Sequence, residues 1–362
     1  MIALSSDTET RPTPAMREAI AAAPVGDEQR GEDPSVNLLL ERVAELLGME
    51  AALFLPTGTM CNLISVKVHT QAGDVLLAER DAHVLRAESG GAGLISGVIT
   101  EALVASDHAG AFADVDAGPA SARIPGTFTA EDLRAALDRL TMMPAPYAPP
   151  ATLLCVEQTH NFGGGSIWPL ERLEAVSNLA RARGLAVHMD GARLLNAVVA
   201  SGVPAAHWCA HVDSVWIDFT KGLGAPLGAV LAGSRAFIAQ ALRYKFAFGG
   251  AMRQAGIAAA GCLHALEHHV ERLAEDHANA TRLATGIAAL SGVRLVYGMP
   301  QTNIVFFEPD RSGLSAAELA RRCGERGLRM SAIGGRLRAV AHLDVSRAQI
   351  DEALAIIADA LH

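Results

Sequence analysis

The sequence predicts an α/β protein: a large domain on a mainly parallel sheet, followed by a smaller C-terminal α+β domain. Three observations predict it. Short apolar runs alternate with helical patterns along most of the chain. Those runs are nearly continuous in Val, Leu and Ile, as in strands buried on both faces. After about Phe246 the texture changes, and a long helical pattern leads into two strand-like runs. The expected division is 1–245 for the large domain and 246–362 for the small one.

The elements follow in order. Asp33-Pro34 reads as an N-cap with proline in the first helical turn; Val36, Leu39, Leu40, Val43, Leu46 and Leu47 recur at helical spacing, and Gly48 stops the run. Ala51–Leu55 and Val75–Ala78 read as strands. Thr129 to Leu140 and Leu170 to Arg183 are helices, and between them the Pro-rich segment from Met142 to Pro150 is a loop and 152–156 a strand. Further strands are expected at 185–189, 212–219 and 227–232. The helical pattern from His264 to Leu290 precedes strands at 303–307 and 337–343. Ser315 with Glu318, and Ser346 with Gln349, are capping-box pairs that open two more helices.

Composition narrows the function. The chain has 362 residues, half of them hydrophobic, enough for a large core. A formal charge of −9 argues against a nucleic-acid binder, which needs basic footing for phosphates. The longest uncharged stretch, Leu194 to Val212, contains Asn196, Pro204, His207 and His211, so no membrane span is expected. The N-terminus lacks a basic segment followed by a long apolar one, and the five cysteines are far apart with no C-x-x-C; a cytoplasmic protein with reduced thiols is expected. Only three of 30 basic residues are lysines: Lys67, Lys221 and Lys245.

In open α/β sheets ligands gather at the carboxyl ends of strands. Three such ends carry suggestive residues. Ala51–Leu55 runs into Pro56-Thr57-Gly58-Thr59, a turn whose free N–H groups could hold a phosphate. The run 185–189 ends in Asp190-Gly191-Ala192-Arg193, and 212–219 ends in Thr220-Lys221-Gly222-Leu223-Gly224. Each alone also reads as an ordinary turn, an N-cap or a surface lysine. Together they are what pyridoxal phosphate requires: an anchor for the phosphate, an acid for the ring nitrogen and an amine for the aldehyde.

The chain resembles the threonine aldolase family of pyridoxal-phosphate enzymes, which have the aspartate-aminotransferase-like fold (fold type I). The matching segments are Ser6-Asp7-Thr8, Gly31-Glu32-Asp33-Pro34, Pro56-Thr57-Gly58-Thr59, Thr159-His160-Asn161, His188-Met189-Asp190-Gly191-Ala192-Arg193, Lys221-Gly222-Leu223-Gly224, Gly249-Gly250-Ala251-Met252-Arg253 and Val340-Ala341-His342-Leu343-Asp344. The resemblance implies pyridoxal 5'-phosphate as cofactor and cleavage of threonine, allo-threonine or related β-hydroxy-α-amino acids to glycine and an aldehyde. It implies that Lys221 joins the cofactor, that Asp190 pairs with the ring nitrogen and that His83 stacks on the ring near the substrate hydroxyl. Gly58 and Thr59 would bind phosphate, with Arg253 a further phosphate contact across a subunit boundary. Arg193 would lie near the ring oxygen and the substrate carboxylate, Arg338 would clamp that carboxylate with its planar fork, and Ser6 would lie beside it. The base for the β-hydroxyl is His83 or an ordered water. A homodimer or homotetramer is implied as well.

Four departures stand out. Arg30 replaces the usual Tyr before the Gly-Glu-Asp-Pro segment and would favour a polar or acidic aldehyde side. Ala3-Leu4-Ser5-Ser6-Asp7 replaces the usual Asp-Leu-Arg-Ser-Asp, Thr220 replaces Ser before the lysine, and Tyr147 stands where a histidine is often found. Rival readings are a β-eliminating lyase or an aminotransferase on a similar amino acid. His264-Ala265-Leu266-Glu267-His268 fits a zinc peptidase pattern, but coincidence is favoured and no metal is expected. The chain shows no G-x-G-x-x-G of a nicotinamide dehydrogenase.

Overall fold

A computed structural model of the chain describes residues 1–105, 124–144, 146–310 and 313–362. Among the described residues there are thirteen strands: β1 (Ile2–Ala3), β2 (Ala51–Leu55), β3 (Val75–Glu79), β4 (Ile99–Leu103), β5 (Ala151–Glu157), β6 (Ala186–Gly191), β7 (Ser214–Asp218), β8 (Ala229–Gly233), β9 (Val293–Leu295), β10 (Ile304–Pro309), β11 (Leu328–Arg329), β12 (Ser331–Ile333) and β13 (Arg336–Val340).

Seven of them form one sheet in the order β2-β8-β7-β6-β5-β3-β4. Alternate residues serve opposite faces: Val75 and Leu77 of β3 enter one apolar cluster, Leu76 and Ala78 another. That double burial is why the strands read as unbroken apolar runs. All neighbours from β4 to β7 are parallel; β8 runs antiparallel to both β7 and β2. The reversal has a local cause. Only the segment from Phe219 to Gly228 joins β7 to β8, too short for a helical crossover, so the chain returns as a hairpin. Lys221 sits in that return.

Four strands form the second sheet, β12-β13-β10-β9, antiparallel throughout, while β1 pairs with β11 in a separate parallel ribbon. Ile2 and Leu4 therefore join the C-terminal core. The helical pattern read as continuous from His264 to Leu290 is two helices, Gly256–His268 and Leu273–Ala288. They break where the His269 imidazole donates to the Leu223 carbonyl at 2.7 Å, beside the lysine turn. The first helix packs Ala259, Cys262 and Ala265 into the large core, which extends to Leu273; the second core takes over at Ala280. We propose drawing the boundary between the two units inside the helix Leu273–Ala288 rather than at 245/246, with the N-terminal strand assigned to the small unit.

The caps are largely as read. Asp33 accepts from the Val36 amide at 3.0 Å, and Ser346 with Gln349 forms a complete box. Ser315 accepts from the Glu318 amide, but the Glu318 carboxylate turns to Arg321 and Arg322, so that box is half made. Strands β4, β9 and β12 and the helices Pro14–Ala21 and Arg235–Ala247 carry no strong apolar run or period and were not among the expected elements. Among the described residues no helix is long and apolar enough to cross a membrane.

Candidate active site

Strands β5, β6 and β7 end side by side, bringing Glu157, Asp190 and Asp218 to the carboxyl edge of the sheet, where open α/β sheets bind ligands. A cavity of about 370 Å³ lies there. It is lined by Thr57, Gly58, Thr59, His83, Asp190, Arg193 and Lys221, and also by Glu88, Glu157, Asn161, Trp216 and Asp218. Seven of the residues read from the sequence or the resemblance thus converge, counting Thr57.

The lysine turn is pinned from several sides. Thr220 donates its N–H and hydroxyl to Oδ1 of Asp218 at 2.8 and 2.7 Å, and Oδ2 of Asp218 lies 3.3 Å from Nζ of Lys221. The Thr10 hydroxyl donates to the Lys221 carbonyl at 2.6 Å. Nζ also lies 5.6 Å from the Trp216 ring centre, within cation–π range. The lysine is thus positioned at the cavity by neighbours on β7 and the N-terminal segment.

At the same edge, β2 leads into the helix Gly58–His69, which starts at the cavity. Thr57 caps it by accepting from the Met60 amide, and Gly58 and Thr59 occupy its first turn, where amides lack intrahelical partners. Gly58 has a packing reason as well: a Cβ there would fall 2.2 Å from the Trp216 ring.

Asp190 is buried. It accepts from Nδ2 of Asn62 at 2.9 Å and from the Ala192 amide at 3.1 Å, both neutral donors. Burial and the nearby Glu157 charge push its carboxyl up to about 6, against the opposing pull of Lys221 and His83. Glu157 accepts from the amides of His83 at 2.7 Å and Asn161 at 2.8 Å; against burial, the His160 and His83 charges hold it low. Buried His160 lies 3.1 Å from Glu79, and although burial opposes it, Glu157 and Glu79 hold this imidazole up to about 9.

Arg193 lines the cavity, but its guanidinium is gripped from behind: Nε and Nη2 donate to the two oxygens of Asp7, each at 2.7 Å. Nη1 is 3.4 Å from Oδ1 of Asn161. Arg338 reaches the same Asn161 oxygen with Nη1 at 2.9 Å and gives Nη2 to the Ser5 carbonyl at 2.9 Å; its buried Nε has no partner among the described residues. Arg338 therefore stands one side chain back from the cavity. Ser6 accepts from the Thr8 amide and hydroxyl and lies beyond the lining. Arg30 and Arg253 are both exposed and both meet Asp27, at 3.8 and 2.9 Å, away from the cavity of this chain. Tyr147 is exposed.

Glu88, Asn62, Glu157, Trp216 and Asp218 were not singled out from the sequence. Spacing carried some signal: Asn62 is one helical turn after Gly58, and Asp218 is three residues before the lysine. His264 and His268 do share a helix face, with ring centres 4.6 Å apart. Among the described residues, however, three ligating atoms converge only at His83, Glu88 and Asp190.

The sheet order, the hairpin-borne lysine and the buried carboxylate beside it define an enzyme of the aspartate-aminotransferase-like fold. Residues 3–311 match the beta-eliminating lyase family. The chain is 37% identical to low-specificity L-threonine aldolase 1 of Arabidopsis thaliana, covering 99% of this chain and 96% of that one. It is 38% identical to the low specificity L-threonine aldolase of Escherichia coli K12, covering 98% of each. The Leishmania major threonine aldolase structure superposes with a TM-score of 0.81 at 18% identity over the full length of both chains. The chain belongs to the beta-eliminating lyase family and, within it, to the threonine aldolases, which are carbon–carbon lyases.

Proposed function

We propose that this chain cleaves threonine, allo-threonine and related β-hydroxy-α-amino acids to glycine and an aldehyde, with pyridoxal 5'-phosphate held between Lys221 and Asp190. One observation carries the reading: the hairpin lysine and the buried aspartate line one cavity together with the helix start at Gly58. The donor set suits the cofactor. Among the described residues Asp190 accepts hydrogen bonds from neutral donors, beside acidic neighbours, and a protonated ring nitrogen would add a cationic one. The Gly58 and Thr59 amides suit the phosphate.

When bound, the cofactor supplies an aldehyde for amines and a ring that accepts the electron pair released at the amino acid's Cα. The chain supplies the rest. Asp190 keeps the ring nitrogen protonated. Arg338, with an unused Nε, and Arg193 present guanidinium groups to the substrate carboxylate through and beside Asn161. His83 takes the β-hydroxyl proton. Arg253 and Arg30, remote from their own cavity, would serve that of a second copy in a homodimer or homotetramer. Five buried, unpaired cysteines suit a cytoplasmic location.

The test is to supply purified protein with pyridoxal phosphate and threonine. A visible absorption band discharged by borohydride, with glycine and acetaldehyde as products, is expected; Lys221→Ala should abolish both. Ammonia and a keto acid instead would favour β-elimination on the same site, and a keto acid without ammonia would favour transamination.

A further inference from the structure

Glu88 has no part in that reading, yet its surroundings are specific. It follows His83 by five residues and its carboxylate is buried against the cavity. Oε1 accepts from Nδ1 of His83 at 2.9 Å and from Nδ2 of Asn62 at 2.6 Å, while Oε2 is buried with no partner among the described residues. The same Asn62 amide reaches Asp190.

The direction of these bonds is determined by chemistry. An indole N–H only donates, and Nε1 of Trp216 lies 2.7 Å from Oδ1 of Asn62. The Asn62 oxygen therefore faces Trp216 and its nitrogen faces the two acids. His188, 3.1 Å from that oxygen through Nε2, must donate there, so its Nδ1 accepts from the Ser214 hydroxyl at 2.8 Å. Burial, with His69 nearby, pushes His188 down to about 3 and keeps it neutral in this chain of bonds. Glu88 is thus held in place by a network whose donors are all assigned, and it presents an acceptor to His83.

We propose that Glu88 is the positioning residue for His83: it holds the imidazole with its proton on Nδ1, leaving the Nε2 lone pair to the cavity for the substrate's β-hydroxyl. In the step it serves, the O–H bond breaks, the proton passes to Nε2, and the O–H electron pair becomes the second bond of the aldehyde carbonyl as Cα–Cβ breaks. The imidazole is then cationic against the Glu88 carboxylate. The charged groups facing His83 are Glu88 on its own segment, Glu157 at the end of β5 and Asp190 at the end of β6, with Arg193 and Lys221 lining the same cavity. Burial lowers His83, but the Glu88 bond and the Asp190 and Glu157 charges outweigh it and raise the imidazole above the ordinary histidine value. The proposal rests on His83 as the base.

Nitrogen-resolved NMR of the histidines in the holoenzyme tests it, the His83 signals being assigned by their loss in His83→Asn. The unaltered protein should show the Nδ1–H form of neutral His83; the Nε2–H form would overturn the proposal, and this holds even if no Glu88 variant folds. In Glu88→Gln the His83 titration should fall by about one pH unit or more. The acid limb of the kcat profile should move with it, and kcat at neutral pH should drop about tenfold or more. Glu88→Asp should restore part of each. A His83 titration unmoved in Glu88→Gln would overturn the assignment. An undiminished rate in His83→Asn would instead remove the base itself, and the proposal with it.

Discussion

Two aspartates, Asp7 and Asp190, are both buried, and the chain treats them in opposite ways. Asp7 lies where the N-terminal segment meets the large sheet. It receives both forks of Arg193 at 2.7 Å and Nδ2 of Asn303 at 3.1 Å. Although burial opposes it, Arg193 holds this carboxyl well below the usual carboxylate range. Asp190, at the sheet edge, has two neutral amides, and burial with Glu157 pushes it up to about 6. One acid completes its charge balance inside the chain and joins two cores. The other is left incomplete beside a cavity. A buried acid marks a ligand site when its partners are too few, and a structural seam when they suffice.

Replacing Asp190 tests the incomplete half of that comparison and should give the largest effect. Asp190→Asn should lower kcat about 10³-fold, the upper scale for preorganised charge at a reacting centre. It should not weaken the cofactor-free fold. The folded-state value of Asp190 lies above its ordinary 3.8, so the folded chain holds this proton more tightly than the unfolded one. The group therefore costs stability as pH rises from about 4 through about 6, and the asparagine variant should lack that loss. Denaturation of the cofactor-free proteins across this range reads it. A variant that is both active and no more stable at pH 7 would erase the distinction.

How far the sequence carried this picture depends on distance along the chain. The lysine, Asp190 and the Gly58 turn were legible because each ends an apolar run, and strand ends in a parallel sheet are placed by the fold itself. Asn62, Glu88 and Trp216 were not, since their partners are brought in by sheet order: Asn62 and Asp190 are 128 residues apart. The reversed strand β8 was read as a strand from its apolar run, but its direction follows from the shortness of the return at 219–228. The split at His269–Arg272 escaped because both helices share an apolar period, and the His269 bond to Leu223 at the break joins residues far apart in the chain. The N-terminal segment is the clearest case. Nothing local in Ile2–Ala3 announces a pairing with Leu328–Arg329.

Asp7→Asn tests the completed half. It leaves Arg193 buried with an amide where a carboxylate stood, and should destabilise the fold by about 3 kcal/mol, the low end for breaking a buried pair because the amide oxygen still accepts one bond. The sign of its pH dependence is opposite to that of Asp190. A depressed acid contributes stability that is present above its unfolded value and lost as pH falls through the folded one. The unaltered protein should therefore lose this contribution only in acid below about pH 4, and the variant should show a shallower acid limb in urea titrations.

The third substitution sharpens the comparison by keeping the bond and removing the burial. Nε of Arg282 lies 2.5 Å from Oδ1 of Asp351, shorter than either contact between Arg193 and Asp7, and it links two helices of the second core. Distance alone would rank it above the pair of Arg193 and Asp7. Both side chains are solvated, however, so water competes for each charge, and two flexible side chains lose freedom to meet. Arg282→Gln should leave the thermal midpoint within about one degree of the unaltered protein, with no change in catalysis. A loss comparable to that of Asp7→Asn would mean that contact length, and not enclosure from water, decides which ion pairs hold this fold, and the contrast between the two buried aspartates would then need another cause.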